Sequence, residues 1–127
     1  MKKRHLKFVF LFSALMLSTP SYADWQKMGM DGGKTYYIDT DRIRSDDDLV
    51  YYWQLVHFDK PTKKGWKSRI FYMRGNCKIF SVQPQGSLFS KEQTFSISGF
   101  VNNQNFAAYY PMPNSLSERI LKRVCDD

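Results

Sequence analysis

The chain has 127 residues, two cysteines and a formal net charge of +7, which bounds it to one small domain. Four of its nineteen Lys and Arg residues (Lys2, Lys3, Arg4 and Lys7) fall in the first 23 positions, which hold no acidic residue. The rest of the chain balances fifteen basic against twelve acidic side chains, or +3. The basicity is therefore partly a targeting signal, and the charge argument for nucleic-acid binding loses its support.

The first 23 residues run basic, then apolar (FVFLFSALML, 8–17), then small-x-small up to Ala23. That order is a secretory signal peptide, with cleavage expected after Ala23. Its apolar run is too short for a membrane span, which needs roughly 20 apolar residues. The expected organisation is a leader over 1–23 and one exported domain over 24–127, periplasmic or secreted, with no transmembrane anchor. Cys77 and Cys125 both lie past the leader. In an oxidising compartment two cysteines most simply form one disulfide. Such a bridge contributes ~4 kcal/mol through chain entropy, a large share of a total stability of about 5–15 kcal/mol.

Past the leader, short strand-like runs alternate with turn signals. Residues 25–30 form the first run, Asp31-Gly32-Gly33 reads as a hairpin turn, and residues 34–39 (KTYYID) form the second. Asp39 to Arg42 reads as a corner with Ile43 as an inward plug, and residues 45–48 as a turn. Residues 49–58 (LVYYWQLVHF) are apolar on both alternation classes, which predicts a central strand covered on both faces. Residues 59–65 form a polar loop, and residues 67–74 (KSRIFYMR) the next strand. Gly75-Asn76 reads as a two-residue hairpin pair, with 77–82 returning antiparallel. Pro84-Gln85-Gly86 reads as a break. Residues 94–101 (TFSISGFV) alternate as a one-sided strand, and 102–105 read as a loop.

After Pro111-Met112-Pro113 the period changes. Ser115 and Glu118 have capping-box spacing. Leu116, Ile120, Leu121, Val124 and Cys125 recur on one face of a short amphipathic helix, with Arg119, Lys122 and Arg123 outside. The fold expected is α+β: about six antiparallel strands in one sheet, and a C-terminal helix tied to it by a Cys77–Cys125 bridge.

Candidate chemistry is sparse. His57 is the only histidine past the leader, without a partner for metal or triad chemistry, and reads as a packed or half-exposed sheet residue. Asp39, Asp41, Asp46, Asp47 and Asp48 miss the calcium-loop pattern, because Ile43 and Arg44 fall where an oxygen ligand and a glycine are required. They read as corner and turn residues. No nucleophile-elbow motif is present. The expectation is a non-enzymatic protein without metal or cofactor. One cluster stands out: Lys60, Lys63, Lys64 and Lys67 surround Trp66. It reads either as a grip on an acidic polysaccharide, lipid headgroup or protein face, with Trp66 as anchor, or as a lysine-rich hairpin that keeps a sheet edge soluble.

Several pieces occur together in order: Trp25 with Gly29, Tyr36-Tyr37-Ile38-Asp39 followed by Arg42-Ile43, Val50-Tyr51-Tyr52-Trp53, Cys77 closing an aromatic strand, and Pro113-Asn114-Ser115 leading through Leu121 to Val124-Cys125. In this ordered set the chain resembles the surface-adhesin E family of bacterial secreted and surface proteins. The resemblance covers essentially all of 24–127. It implies an antiparallel sheet with a disulfide-held C-terminal helix, a Gram-negative envelope location, and binding of host matrix or serum proteins such as laminin, vitronectin and plasminogen. The family's namesakes are lipid-anchored through a cysteine at the cleavage site. Here Asp24 occupies that position and the leader holds no cysteine, so a soluble location is expected. The alternative is a periplasmic accessory protein with a structural or envelope-stress role. An aromatic sheet with open edges also suits a homodimer.

Overall fold

A computed structural model describes residues 24–91, 101–102 and 106–126. The expected leader, and the strand and loop expected over 94–105 apart from 101–102, lie outside the described residues.

Among the described residues seven strands form one antiparallel sheet: β1 (Trp25–Asp31), β2 (Lys34–Asp39), β3 (Arg44–Asp46), β4 (Leu49–Phe58), β5 (Ser68–Asn76), β6 (Ser81–Ser90) and β7 (Val101–Asn102). The order is β1-β2-β4-β5-β6-β7, with β3 also on β4. Because β2 pairs with residues 54–58 and β3 with residues 49–51, the two share one edge of β4. Seven strands thus fill six positions, as the expected strand number required. The β1–β2 hairpin closes on Gly32 and Gly33, at φ 57° and 77°, where a side chain would be strained.

The corner after β2 is a single 3-10 turn over Thr40–Arg42. Asp39 caps it from a buried position: its carboxylate accepts the amides of Asp41 (3.1 Å) and Asp24 (3.2 Å) and lies 3.6 Å from Arg42 Nε. Ile43 packs against the core as expected.

Other expectations need correction. Residues 45 and 46 of the expected turn belong with Arg44 to strand β3, and the turn tightens to Asp47-Asp48. The side chains of Arg44, Ser45 and Asp46 are all exposed, so this strand is held by backbone pairing and leaves no apolar pattern. Gly75-Asn76 does not turn the chain but ends β5. The turn is 77–80, set by Asn76 Oδ1 accepting the amides of Lys78 and Ile79. Pro84-Gln85-Gly86 is not a break. β6 runs through it as a bulge opposite Tyr72 and Met73, and bulges tolerate a proline that cannot donate to a ladder.

After Pro111-Met112-Pro113 comes α1 (Leu116–Cys125), capped by Ser115, whose hydroxyl accepts the Glu118 amide at 3.1 Å. Glu118 reaches back one residue further than a capping box requires, to the amide of Asn114 at 3.3 Å. Leu116, Ile120, Leu121 and Val124 are buried against Ile38, Val50, Tyr52, Met73 and Val82 of the sheet. Cys77 and Cys125 form the expected disulfide, joining the end of α1 to the start of the 77–80 turn. Gly75 explains how closely the helix can approach. A β-carbon there would lie 2.7 Å from Leu121 Cδ1 and 2.9 Å from Val50 Cγ1.

The second face of β4 is covered only in part, where a strand covered on both faces was expected. Among the described residues Leu55 and Ile70, directly paired across β4 and β5, are buried on it, and around them lies a half-buried aromatic band. Trp53 and Tyr51 pack on Tyr72 at 4.7 and 6.0 Å, and His57 meets Tyr37 edge-on at 5.3 Å. The apolar alternation there serves ring-on-ring packing across strands.

Candidate functional site

The helix covers only one end of its sheet face. Towards Phe58, Arg69 and Phe89 the same face opens into a cleft of about 450 Å³. Register sets its floor: Gln54 pairs with Phe71, Val56 with Arg69, and Arg69 with Phe89, so these side chains share a face. The bulge shifts the alternation of β6, which lets Pro84 face the cleft from one side of it and Phe89 from the other. The segment around Tyr109 forms a wall. Tyr109 exchanges both backbone hydrogen bonds with Val82 (2.9 and 2.8 Å), and Gln83 Nε2 donates to the Phe106 carbonyl at 3.0 Å. Tyr36, Gln54 and Tyr109 also line a second pocket of about 200 Å³ beside the start of α1.

Arg69 is the distinctive group. Its guanidinium carbon lies 4.4 Å from the ring centres of both Phe71 and Phe89, and 5.8 Å from that of Phe106. Such contacts stabilise a cation by about 0.5–2 kcal/mol, more where water is excluded. Arg69 Nη2 donates to Ser87 Oγ at 2.9 Å. Its Nε is buried without a hydrogen-bond partner among the described residues. Among the described residues no carboxylate lines the cleft, and Lys34 at its rim, 6.0 Å above the Phe58 ring, is a second cation. Burial pushes the Arg69 pKa below its ordinary value, as expected for a cation without a counter-charge. Burial likewise raises the Tyr36 and Tyr52 hydroxyls, with Tyr109 a smaller contributor to each.

The lysine-rich loop singled out in the sequence adjoins this cleft. Its stem is closed by the amide of Phe58 donating to Lys67 and that of Lys67 to Ser90, both at 2.9 Å. Lys60, Lys63, Lys64 and Lys67 are exposed. Trp66 is half-buried: its ring packs on Phe89 at 5.5 Å, under Lys91 Nζ at 5.6 Å. Through Phe89 the loop and the cleft form one continuous surface of alternating rings and cations.

The acidic residues do not converge. Asp39 is buried in its capping role, whereas Asp41, Asp46, Asp47 and Asp48 are exposed. Among the described residues no three His, Cys, Asp or Glu side chains gather in a metal-holding group. His57 lies half-buried in the aromatic band, and desolvation lowers its pKa.

Sequence reading missed Arg69, Phe89 and Tyr109. Arg69 and Phe71 are two apart on one strand, so their shared face was available. Phe89 joins them only through the β5–β6 register and its bulge, and Tyr109 only through its pairing with Val82.

An antiparallel sheet carrying a C-terminal helix that is covalently tied to the β5–β6 turn defines a small platform domain, with one end of the helix-bearing face left open by the described residues. The family model for surface-adhesin protein E matches residues 25–126, and the chain belongs to that family. A comparison with curated proteins finds no match.

Proposed function

We propose that this chain is an exported, non-enzymatic binding module of the bacterial envelope, released from its 1–23 leader, that engages a protein partner through the 59–67 loop. Membership of the surface-adhesin E family supports the adhesin class. A host matrix or serum protein with an acidic face is the partner chemistry that suits the loop. The observation that carries the reading is Trp66, held against Phe89 and Lys91 at the base of a loop whose Lys60, Lys63, Lys64 and Lys67 are exposed. A half-buried tryptophan is already ordered, so docking onto it costs little further entropy. The lysines attract an acidic surface and raise the encounter rate, an effect that salt screens.

The test is saturable binding to immobilised laminin, vitronectin and plasminogen. Trp66→Ala combined with Lys63→Glu and Lys64→Glu is expected to lower affinity at least tenfold while leaving the melting temperature within a few degrees. Binding that is absent, or equal for the variant, removes the reading.

A second reading is a soluble periplasmic accessory protein with a structural or envelope-stress role. The observation that favours it is that Cys77 and Cys125 are committed to each other and Asp24 follows the leader. Neither cysteine is then available to carry a lipid. Cell fractionation with surface proteolysis of intact cells separates the two readings.

A further inference from the structure

We infer that the open end of the helix-bearing sheet face is a small-molecule site for a single-chain amphiphile with one anionic head, a straight-chain carboxylate, anchored by Arg69. This goes beyond the protein-partner reading and does not depend on it.

Three observations converge. The cleft volume of about 450 Å³ falls within the range of small-ligand pockets, about 300–1,000 Å³. Its surface is built from Val56, Phe58, Phe71, Met73, Pro84 and Phe89, an apolar lining suited to a hydrocarbon body. Within that lining sits a guanidinium flanked by Phe71 and Phe89; among the described residues its Nε is buried and unpartnered and no carboxylate stands in the walls.

A buried donor without an acceptor carries a desolvation cost that a folded chain ordinarily avoids. A ligand carboxylate supplies the counter-charge, meeting the guanidinium from the cleft, and Arg is the side chain whose fork geometry fits it. Lys34 at the rim adds attraction of the same sign. A cationic or neutral amphiphile gains the apolar contacts but leaves Arg69 unpaired.

The probe is decanoate below its micellar concentration, titrated into the oxidised, leader-free chain by calorimetry and by tryptophan fluorescence, the latter also in a Trp25→Phe/Trp53→Phe background that leaves Trp66 as reporter. Decyltrimethylammonium, acetate and a short apolar peptide with a free C-terminus are the comparators. Decanoate is expected to bind one per chain, and decyltrimethylammonium and acetate at least tenfold more weakly. Arg69→Met is expected to lose at least tenfold in decanoate affinity with the melting temperature within a few degrees of the parent, because loss of the ring contacts and of the Ser87 hydrogen bond is offset by removal of a partly desolvated charge. Arg69→Lys, which keeps the charge but not the fork, is expected to recover only part of the affinity. No saturable decanoate binding, equal binding by Arg69→Met, or equal binding of the cationic amphiphile overturns the site. Preferred binding of the peptide over decanoate overturns the choice of ligand.

Discussion

Breaking the Cys77–Cys125 bridge provides a quantitative test of how this fold is held. The two cysteines are 48 residues apart in sequence. Closing a loop of that length removes unfolded-state entropy equivalent to ~4 kcal/mol at 25 °C. In a domain of this size about 1 kcal/mol moves the melting temperature by roughly 4–8 °C, so the tie accounts for about 15–30 °C. Four side chains, Leu116, Ile120, Leu121 and Val124, keep α1 seated without it, each contributing about 1.5–3 kcal/mol of burial. Cys77→Ala/Cys125→Ala is therefore expected to show native far-ultraviolet circular dichroism at 20 °C, a melting temperature lower by the stated interval, and ~4 kcal/mol less stability in urea. A loss below about 1 kcal/mol would show that the untied chain already keeps its ends together when unfolded, and the entropic account would fail. Loss of helical signal at 20 °C would show that packing alone does not hold α1.

Gly75→Ala places a methyl 2.7 Å from Leu121 Cδ1 and 2.9 Å from Val50 Cγ1. Overpacking of about 1–3 kcal/mol outweighs a gain of about 0.5–1 kcal/mol in chain entropy, for a net loss of about 1–2 kcal/mol in urea unfolding. Leu121→Ala, at a fully buried position, is expected to cost about 2–5 kcal/mol. Combined with Gly75→Ala it should cost less than the two together, since the smaller side chain makes room for the methyl. Asp39→Ala removes a buried acceptor of two amides and is expected to cost about 2 kcal/mol, with faster amide exchange at Asp41. His57 is held below its ordinary pKa of about 6.5 by desolvation, so the unfolded chain takes up its proton first. Its contribution is full above that ordinary pKa and declines as pH falls through it towards the depressed folded value. His57→Gln is expected to flatten that part of the stability–pH curve, and an unchanged slope would refute the assignment.

Local signals in the sequence were reliable wherever local chemistry decides the structure. Residues 34–39 and 49–58 form strands with the expected bounds, because their alternation is strong and their flanking turns are explicit. Ser115 and the apolar stripe from Leu116 to Val124 place the helix, and the paired cysteines place its tie. The errors fall where partners decide. Arg44, Ser45 and Asp46 carry no apolar pattern, yet pair because β4 extends past β2 and leaves an edge to fill. Gly75-Asn76 has hairpin composition, but the glycine is there for the approach of Leu121, and the asparagine turns the chain after itself. Pro84 reads as a stop because a single sequence cannot show that a bulge will absorb it. The cleft was the least legible part: Arg69 resembles an ordinary polar strand residue until the register sets Phe89 beside it.

The link from Cys125 to Cys77 also decides how tension travels. A pull on the C-terminal residues does not peel α1 away turn by turn. It passes through sulfur to the end of β5, in the middle of the sheet, where many ladder bonds must shear together. The 48-residue span between the cysteines is withheld from stretching, which hides about 160 Å of contour length. The bridge thereby makes the C-terminal end a stiff handle, and reduction would convert it into a slack tether.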